Sequence, residues 1–508
     1  SGAERRELNQ QGLPLNETLE GTAVQERFLT YTAMTSASHR LYVSWPQSGG
    51  EPSSLVGELL AVLPSVRTLA EGDMDPQFFA NGEKPAFEQA ARLWRQGTPW
   101  AEALGQYFEG REEYAPRLRA LDRARDRRPA LIGDPALAQE LFGRVMTLSA
   151  TQVEKFYLCH FQYFCRFGLG ARERRAAGLD AMEYGSVMHF LLETVLREDG
   201  PRQAAAWSGE ELEGRLSALL EEYAERKLGG AARRTARFQY LFARLAQAAA
   251  VIVRRVAEEL CQSRFQPEDF ELPVGRGGVP ALRLRLPQGE ARLEGKIDRV
   301  DLLREDGQLY VRVVDYKTGK KEFKLSDILY GLNMQMLLYL AAVAENGAAR
   351  YGAPPKPAGV LYMPSAEPLL SAGGGAAEKA EAERDKALRM NGLLLDDPGI
   401  LQAMEAKGEG RYIPTVLKNG EPARRDSLVS LRDMDCILHH VKRMVGEMAQ
   451  SLWDGDVQAE PVSGAYDACQ WCPYAAVCGH EKEDPARAMA RLDKKTALDQ
   501  LREEEKNG

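Results

Sequence analysis

Two runs of alternating character, Leu293–Glu305 (LEGKIDRVDLLRE) and Gln308–Gly319 (QLYVRVVDYKTG), are joined by Asp306-Gly307. That dipeptide suits a tight hairpin turn, because both of its residues tolerate positive φ. Side chains alternate faces along a strand, so Leu309, Val311, Val313, Asp315 and Lys317 share one face. Asp315 and Lys317 then root roughly 7 Å apart. On the first strand Asp298 lies on the face of Glu294 and Lys296, opposite Leu293 and Ile297. In simple register Asp298 and Asp315 converge. Two carboxylates on adjacent strands offer hard oxygen ligands for Mg²⁺ or Mn²⁺, and a neighbouring lysine steadies phosphate charge. Taken alone, the same alternation also fits an ordinary solvated strand face.

The hairpin is followed by SDILYGLNMQMLLYLAAVA, which reads as a helix with Ser326 as N-cap. Gln335 and Tyr339 are four apart and share a face of it. Upstream, MEYGSVMHFLLETVL reads as an amphipathic helix carrying His189, with Glu193 one turn on, either orienting the ring or solvated.

In this order, G-x-x-x-H, G-K-I-D-R-V-D, V-V-D-Y-K-T-G and Q-x-x-x-Y resemble the motifs of RecB-type PD-(D/E)XK nucleases over roughly residues 149–485. The resemblance implies an α/β fold with a mixed sheet flanked by helices. It implies that His189, Asp298 and Asp315 bind the metal, with the Tyr316 carbonyl as a further ligand. Lys317 would be the catalytic lysine. Gln335 and Tyr339 would form the accessory helix motif, near DNA or the lysine.

Seven cysteines, at 159, 165, 261, 436, 469, 472 and 478, an odd count scattered over 508 residues, are not a disulfide framework. The run CQWCPYAAVC gives C-x2-C-x5-C, the spacing of a soft-metal site lacking one ligand. Cys159 is the candidate fourth, with Cys165, His160 and His480 as competitors. Spacing alone leaves zinc and an iron–sulfur cluster open. The stretch LSATQVEKFYLCHFQYFCRFGL resembles a segment of the AddB family of bacterial AddAB helicase–nucleases. That family has one cysteine before the nuclease core and three after it, holding a 4Fe–4S cluster. The matching residues are Cys159, Cys469, Cys472 and Cys478. His160 departs from the proline usual there, and Cys165 reads as packed. Such a cluster would clamp together segments about 310 residues apart, a long loop to close.

With 508 residues and 44% hydrophobic content, two to four domains are expected. No apolar run approaches a membrane span and no leader is read, so an intracellular, cytoplasmic protein is expected. The net charge of −8 argues against a nonspecific DNA-coating protein. Two basic stretches, 117–128 and 226–240, read as solvated helix faces or DNA-backbone contacts, the second being the better candidate for DNA.

Residues 21–46 resemble the last motif of superfamily 1 helicases, but Ser36 stands where those have an arginine finger, and the chain has no G-x-x-x-x-G-K-[ST] loop. No ATPase chemistry is expected. The alternative is a helix followed by a strand, RLYVSW. The organisation read from these features is a degenerate helicase-like remnant (1–65), a helical connector (66–148), the nuclease domain (149–485) and a charged helical tail (486–508). The chain opens on Ser1 rather than Met and reads as a C-terminal part of a longer protein. Residues 365–380 read as a small-residue loop, and RMNGLLLDDPGILQAM as an inserted hairpin or helix.

The function implied is metal-dependent cleavage of single-stranded DNA, with an AddA-type partner, in double-strand-break repair. The rival is a non-cleaving DNA-binding module with a structural zinc site.

Overall fold

In the computed structural model the described residues are 10, 19–45, 52–70, 74, 76–125, 131–172, 181–227, 236–319, 321–366, 368, 377–481 and 484–507. The chain divides into two compact units, Ser1–Arg127 and Arg128–Gly508.

The first unit is helical where described. Helix Leu19–Thr35 is followed by irregular chain, so RLYVSW forms no strand. Helices Glu83–Arg92, Pro99–Glu109 and Ala115–Arg125 enclose a small core of Ala86, Ala90, Leu104, Phe108, Tyr114 and Leu118. The basic run 117–128 falls partly on the last of these helices, where Leu118 is buried. Its end, 126–128, lies outside the described residues.

The second unit is built on a mixed six-stranded sheet. Its strands are β2 (Gln266–Val274), β5 (Gly295–Glu305), β6 (Gln308–Lys317), β7 (Lys356–Pro364), β8 (Asn391–Leu395) and β9 (Leu428–Val429). The spatial order is β9-β8-β7-β6-β5-β2. β6 and β7 run parallel, as do β8 and β9, and the other pairs are antiparallel. A smaller sheet holds β1 (Val145–Leu148), β3 (Leu282–Leu286) and β4 (Gly289–Leu293) in the order β1-β4-β3.

The β5–β6 hairpin forms as read. Asp306 and Gly307 have φ of 51° and 72°, the two positive values a type I′ turn requires. Register runs from Glu305↔Gln308 to Arg299↔Val314. Val300, Leu302, Leu309, Val311 and Val313 face one core, while Leu303, Val314 and Tyr316 face the other.

Helices cover both faces. The first core is closed by α1 (Ala150–Leu158), α5 (Gln335–Asn346), α6 (Leu431–Trp453) and α7 (Lys494–Asn507). The second is closed by α2 (Ala181–Thr194), α3 (Gly209–Lys227) and α4 (Ala236–Gln262). Among the described residues no helix is long and apolar enough to cross a membrane.

Three local expectations are corrected. The helix read from Ser326 is broken: a short turn at Leu325–Ile328 is capped by Lys324, and α5 starts only at Gln335. Gly331 and Asn333, at φ of 77° and 56°, make the break. The stretch read as an inserted hairpin or helix supplies a strand of the central sheet, since β8 pairs with β7, followed by a short helix, Pro398–Met404. Residues following Ala486 pack into the fold: Arg487–Met489 pairs with Val462–Gly464, and Ala497, Leu498 and Leu501 of α7 enter the first core. Most of the basic stretch 226–240 and of the loop 365–380 lies outside the described residues.

Candidate metal centre and its surroundings

The sheet ends where β2, β5 and β6 meet α2. Three side chains there, His189 of α2, Glu271 of β2 and Asp298 of β5, bring ligand atoms within 4.8 Å of one another. His189 Nδ1 is 3.4 Å from Glu271 Oε1 and 3.5 Å from Asp298 Oδ1. Its Nε2 faces the Tyr316 carbonyl at 3.1 Å. The Tyr316 amide donates to Asp298 Oδ2 at 2.8 Å. One residue's peptide groups thus touch both the histidine and the aspartate.

Burial works against a charge on His189, but the hydrogen bonds to Asp298 and Glu271 outweigh it and raise the pKa of the ring to about 10. Glu193, the alternative partner read from helix spacing, pairs instead with Arg197 at 2.6 Å.

Asp315 lies next to this group. Burial, and then the Asp298 carboxylate, push its pKa up to about 6 against the pull of Lys317. Lys317 Nζ is 2.6 Å from Asp315 Oδ2. The approach is off the angle of a hydrogen bond, so Oδ2 is ion-paired yet has no aligned donor. The other oxygen, Oδ1, accepts from Gln335 Nε2 at 3.3 Å. Gln335 therefore meets the carboxylate. Tyr339, one turn on, lies over Gly295, and its hydroxyl accepts the Lys296 amide. A Cβ at Gly295 would collide with that hydroxyl, which explains a glycine before Lys296.

Sequence reading missed Glu271. It adopts φ of 51°, rare for a non-glycine residue, between Phe270 and Leu272, which pair with Arg299 and Ile297 on either side of Asp298 in the β2–β5 ladder. It also pairs with Lys296. The donor set fits a hard divalent cation: carboxylate oxygens, a carbonyl and an imidazole nitrogen, with an under-coordinated buried oxygen on Asp315 beside them.

A cleft of about 1210 Å³ opens beside Lys317. Lys321, Lys386 and Arg389 line it with Tyr362 and Phe323, against Glu322, Glu383 and Asp426.

Residues 147–479 match the family model described as "PD-(D/E)XK nuclease superfamily". The chain belongs to this superfamily. Among curated relatives, the protein of Ruminiclostridium cellulolyticum named as the B subunit of an ATP-dependent helicase/deoxyribonuclease is 29% identical over 97% of this chain and 45% of its own length. Its namesake from Desulforudis audaxviator is 33% identical, over 94% and 43% respectively. The namesake from Acetivibrio thermocellus is 29% identical, over 94% and 44%. The chain thus spans less than half the length of these relatives.

None of the seven cysteines of this superfamily member, all among the described residues, is in a disulfide. Cys159 is the C-cap of α1. Burial pushes its thiol up to about 11, partly offset by the Gln162 and Phe161 amides, while Cys472 and Cys469 add to the rise. Cys469 in turn feels Cys472 and Cys478 after burial and Asp467. The four residues read as cluster ligands are therefore brought into one neighbourhood from both ends of the domain. Cys165 is buried and feels Cys472 and Cys478 too. Cys436 is buried against Glu505, and Cys261 is exposed. Among the described residues no three thiols lie within 4.8 Å of one another.

Proposed function

We propose that this chain is a divalent-metal-dependent deoxyribonuclease acting on single-stranded DNA, working beside a helicase of AddA type in double-strand-break repair. The observation that carries it is the convergence of His189, Glu271 and Asp298, with Asp315 and Lys317 at their edge. The superfamily membership and the relatives' name support DNA as substrate and a helicase partner.

Asp298, Glu271 and His189 supply donor atoms, with Asp315 and the Tyr316 carbonyl beside them. A bound Mg²⁺ or Mn²⁺ supplies Lewis acidity at the scissile phosphate and a water of lowered pKa. Lys317 places a positive charge where negative charge develops on the phosphate in the transition state. Gln335 and Lys317 fix the two oxygens of Asp315, so its orientation is set before substrate arrives. The cleft beside Lys317 offers cations to a DNA backbone and the half-buried Phe323 as a stacking surface. Cys159, Cys469, Cys472 and Cys478 hold a 4Fe–4S cluster in this reading, and residues 1–65 are a helicase-like remnant.

The test is an end-labelled single strand and the matching duplex incubated with the chain, with Mg²⁺, Mn²⁺ or EDTA. Cleavage of the single strand that needs the cation and is lost in Asp298→Ala and Asp315→Ala supports the reading. Metal-independent cleavage, or cleavage undiminished in both variants, overturns it.

A further inference from the structure

Behind the candidate metal centre, on the opposite face of β5 and β6, four charged side chains have no solvent exposure at all: Glu259 of α4, Arg299 and Asp301 of β5, and Arg312 of β6. Arg299 reaches both oxygens of Asp301, at 2.8 and 2.9 Å, and Glu259 Oε2 at 3.1 Å. Arg312 reaches Asp301 Oδ2 at 2.8 Å and Glu259 Oε1 at 2.6 Å. Two positive and two negative groups close on one another. Taking such charges out of water offsets much of their attraction, and apolar replacements are often as stable. Stability alone is therefore a poor account of the quartet.

Its position suggests a different one. Arg299 Nη1 also donates to the Tyr316 hydroxyl at 3.2 Å. Tyr316 is the residue whose amide holds Asp298 and whose carbonyl faces His189. Its ring is anchored in the quartet while its peptide groups line the site. Alternation makes this possible: Asp298 and Arg299 are adjacent but face opposite sides, as are Asp315 and Tyr316. A one-residue slip of β5 or β6 would turn Arg299 or Arg312 into the apolar core and Asp298 or Asp315 away from the site. Stranding a buried arginine without its carboxylates is strongly unfavourable.

We propose that the Glu259–Arg299–Asp301–Arg312 quartet is a positioning device for the metal centre, locking the β5–β6 register and holding the Tyr316 peptide through its hydroxyl. The proposal rests on the nuclease reading of the front face. None of the four side chains touches the metal or the substrate in it.

The test uses the full chain and Mn²⁺ as probe. Tyr316→Phe removes one hydroxyl and keeps the ring and all four charges. Asp301→Asn perturbs the quartet while keeping its shape. Each is measured for Mn²⁺ affinity by titration calorimetry, for single-strand cleavage and for thermal unfolding. Outer contacts of metal sites typically carry about 10- to 100-fold in affinity. Tyr316→Phe is expected to unfold within a few degrees of wild type yet bind Mn²⁺ more weakly by about that range. Asp301→Asn is expected to weaken binding likewise and to melt lower. Wild-type affinity in folded Tyr316→Phe overturns the proposal and leaves the nuclease reading standing. Wild-type chain whose Mn²⁺ binding is indifferent to Asp298→Ala overturns both.

Discussion

Glu154 Oε1 accepts the Met334 amide at 3.1 Å. Glu154 lies in α1, which opens on a capping box of Ser149 and Gln152 and ends at Cys159. Met334 is the N-cap of α5, whose first residue, Gln335, donates to Asp315. One helix therefore joins the cysteine region to the helix that orients a site carboxylate. The carboxylate also sits where the positive end of the α5 dipole favours it. Glu154→Ala is expected to cost about 1 kcal/mol of stability, the size of a lost helix cap, and to lower cleavage. Glu154→Gln, which keeps an acceptor, is expected to recover most of the stability. Denaturant unfolding and the single-strand assay check both.

Glu271 is expected to be a metal ligand. Its positive φ stores strain of about 1–3 kcal/mol, which a glycine would relieve. Glu271→Gly is therefore expected to leave thermal stability unchanged or raised while Mn²⁺ affinity falls. A side chain with a purely structural role would give the reverse, a lower melting temperature with affinity intact. Calorimetry of Mn²⁺ binding alongside a melt separates the two.

Glu271 also marks the limit of what could be read from the residues. The hairpin was legible because Asp306-Gly307 and the alternation around it are local. Asp298, Asp315 and Lys317 could then be placed on one face by counting. Glu271 comes from a strand whose partner is set by tertiary pairing, and its unusual φ leaves no trace in an E-L-P context. The broken helix before Gln335 was missed for a similar reason. Apolar periodicity runs through Leu329–Met334, and only Gly331 and Asn333 hint at the break. The quartet was hidden because Arg and Asp on a strand read as solvent-facing until α4 covers them.

Lys317→Ala is expected to lower the cleavage rate by about 10²–10³-fold, the usual size of a lost transition-state charge partner. The ammonium pairs with Asp315 from outside the ligand group, so Mn²⁺ binding should survive. Single-turnover cleavage together with Mn²⁺ titration is the measurement. Loss of metal binding in this variant would show that Lys317 acts by holding Asp315 in place.

α7 docks on α6 through buried His440, which meets Glu504 at 2.8 Å and the Ile328 carbonyl at 3.2 Å. Burial, the largest influence, lowers the pKa of His440 below 6.5, with Arg443 acting in the same direction and Glu504 opposing. The folded state thus prefers the neutral ring. Its contribution is complete above the ordinary histidine value and is lost as pH falls through the depressed one. Mild acid is expected to speed proteolysis of Lys494–Asn507, and His440→Gln to flatten that dependence. Equal proteolysis of wild type and variant across about pH 7 to 5, the range in which histidine titrates, would contradict this.

The four cysteines provide the last test. Cys159 ends α1, and Cys469, Cys472 and Cys478 lie roughly 310 residues or more further along, yet their thiols influence one another. A single zinc ion would draw four sulfurs to about 2.3 Å from itself, hence to about 3.8 Å from one another. A multi-iron cluster sits between thiols spread further apart than a single ion allows. Anaerobically prepared chain is expected to carry iron and to absorb in the visible, at about 400 nm, as thiolate-held iron does. Replacing any one of the four by alanine should lose iron, lower the melting temperature and speed proteolysis, because ligand binding and folding are coupled. Cys165 is the discriminating control: it is buried within the influence of Cys472 and Cys478. Cys165→Ala should keep its iron. Iron loss there with retention in Cys159→Ala would reassign the fourth ligand, and stoichiometric zinc from iron-replete cells would replace the cluster with a structural zinc ion.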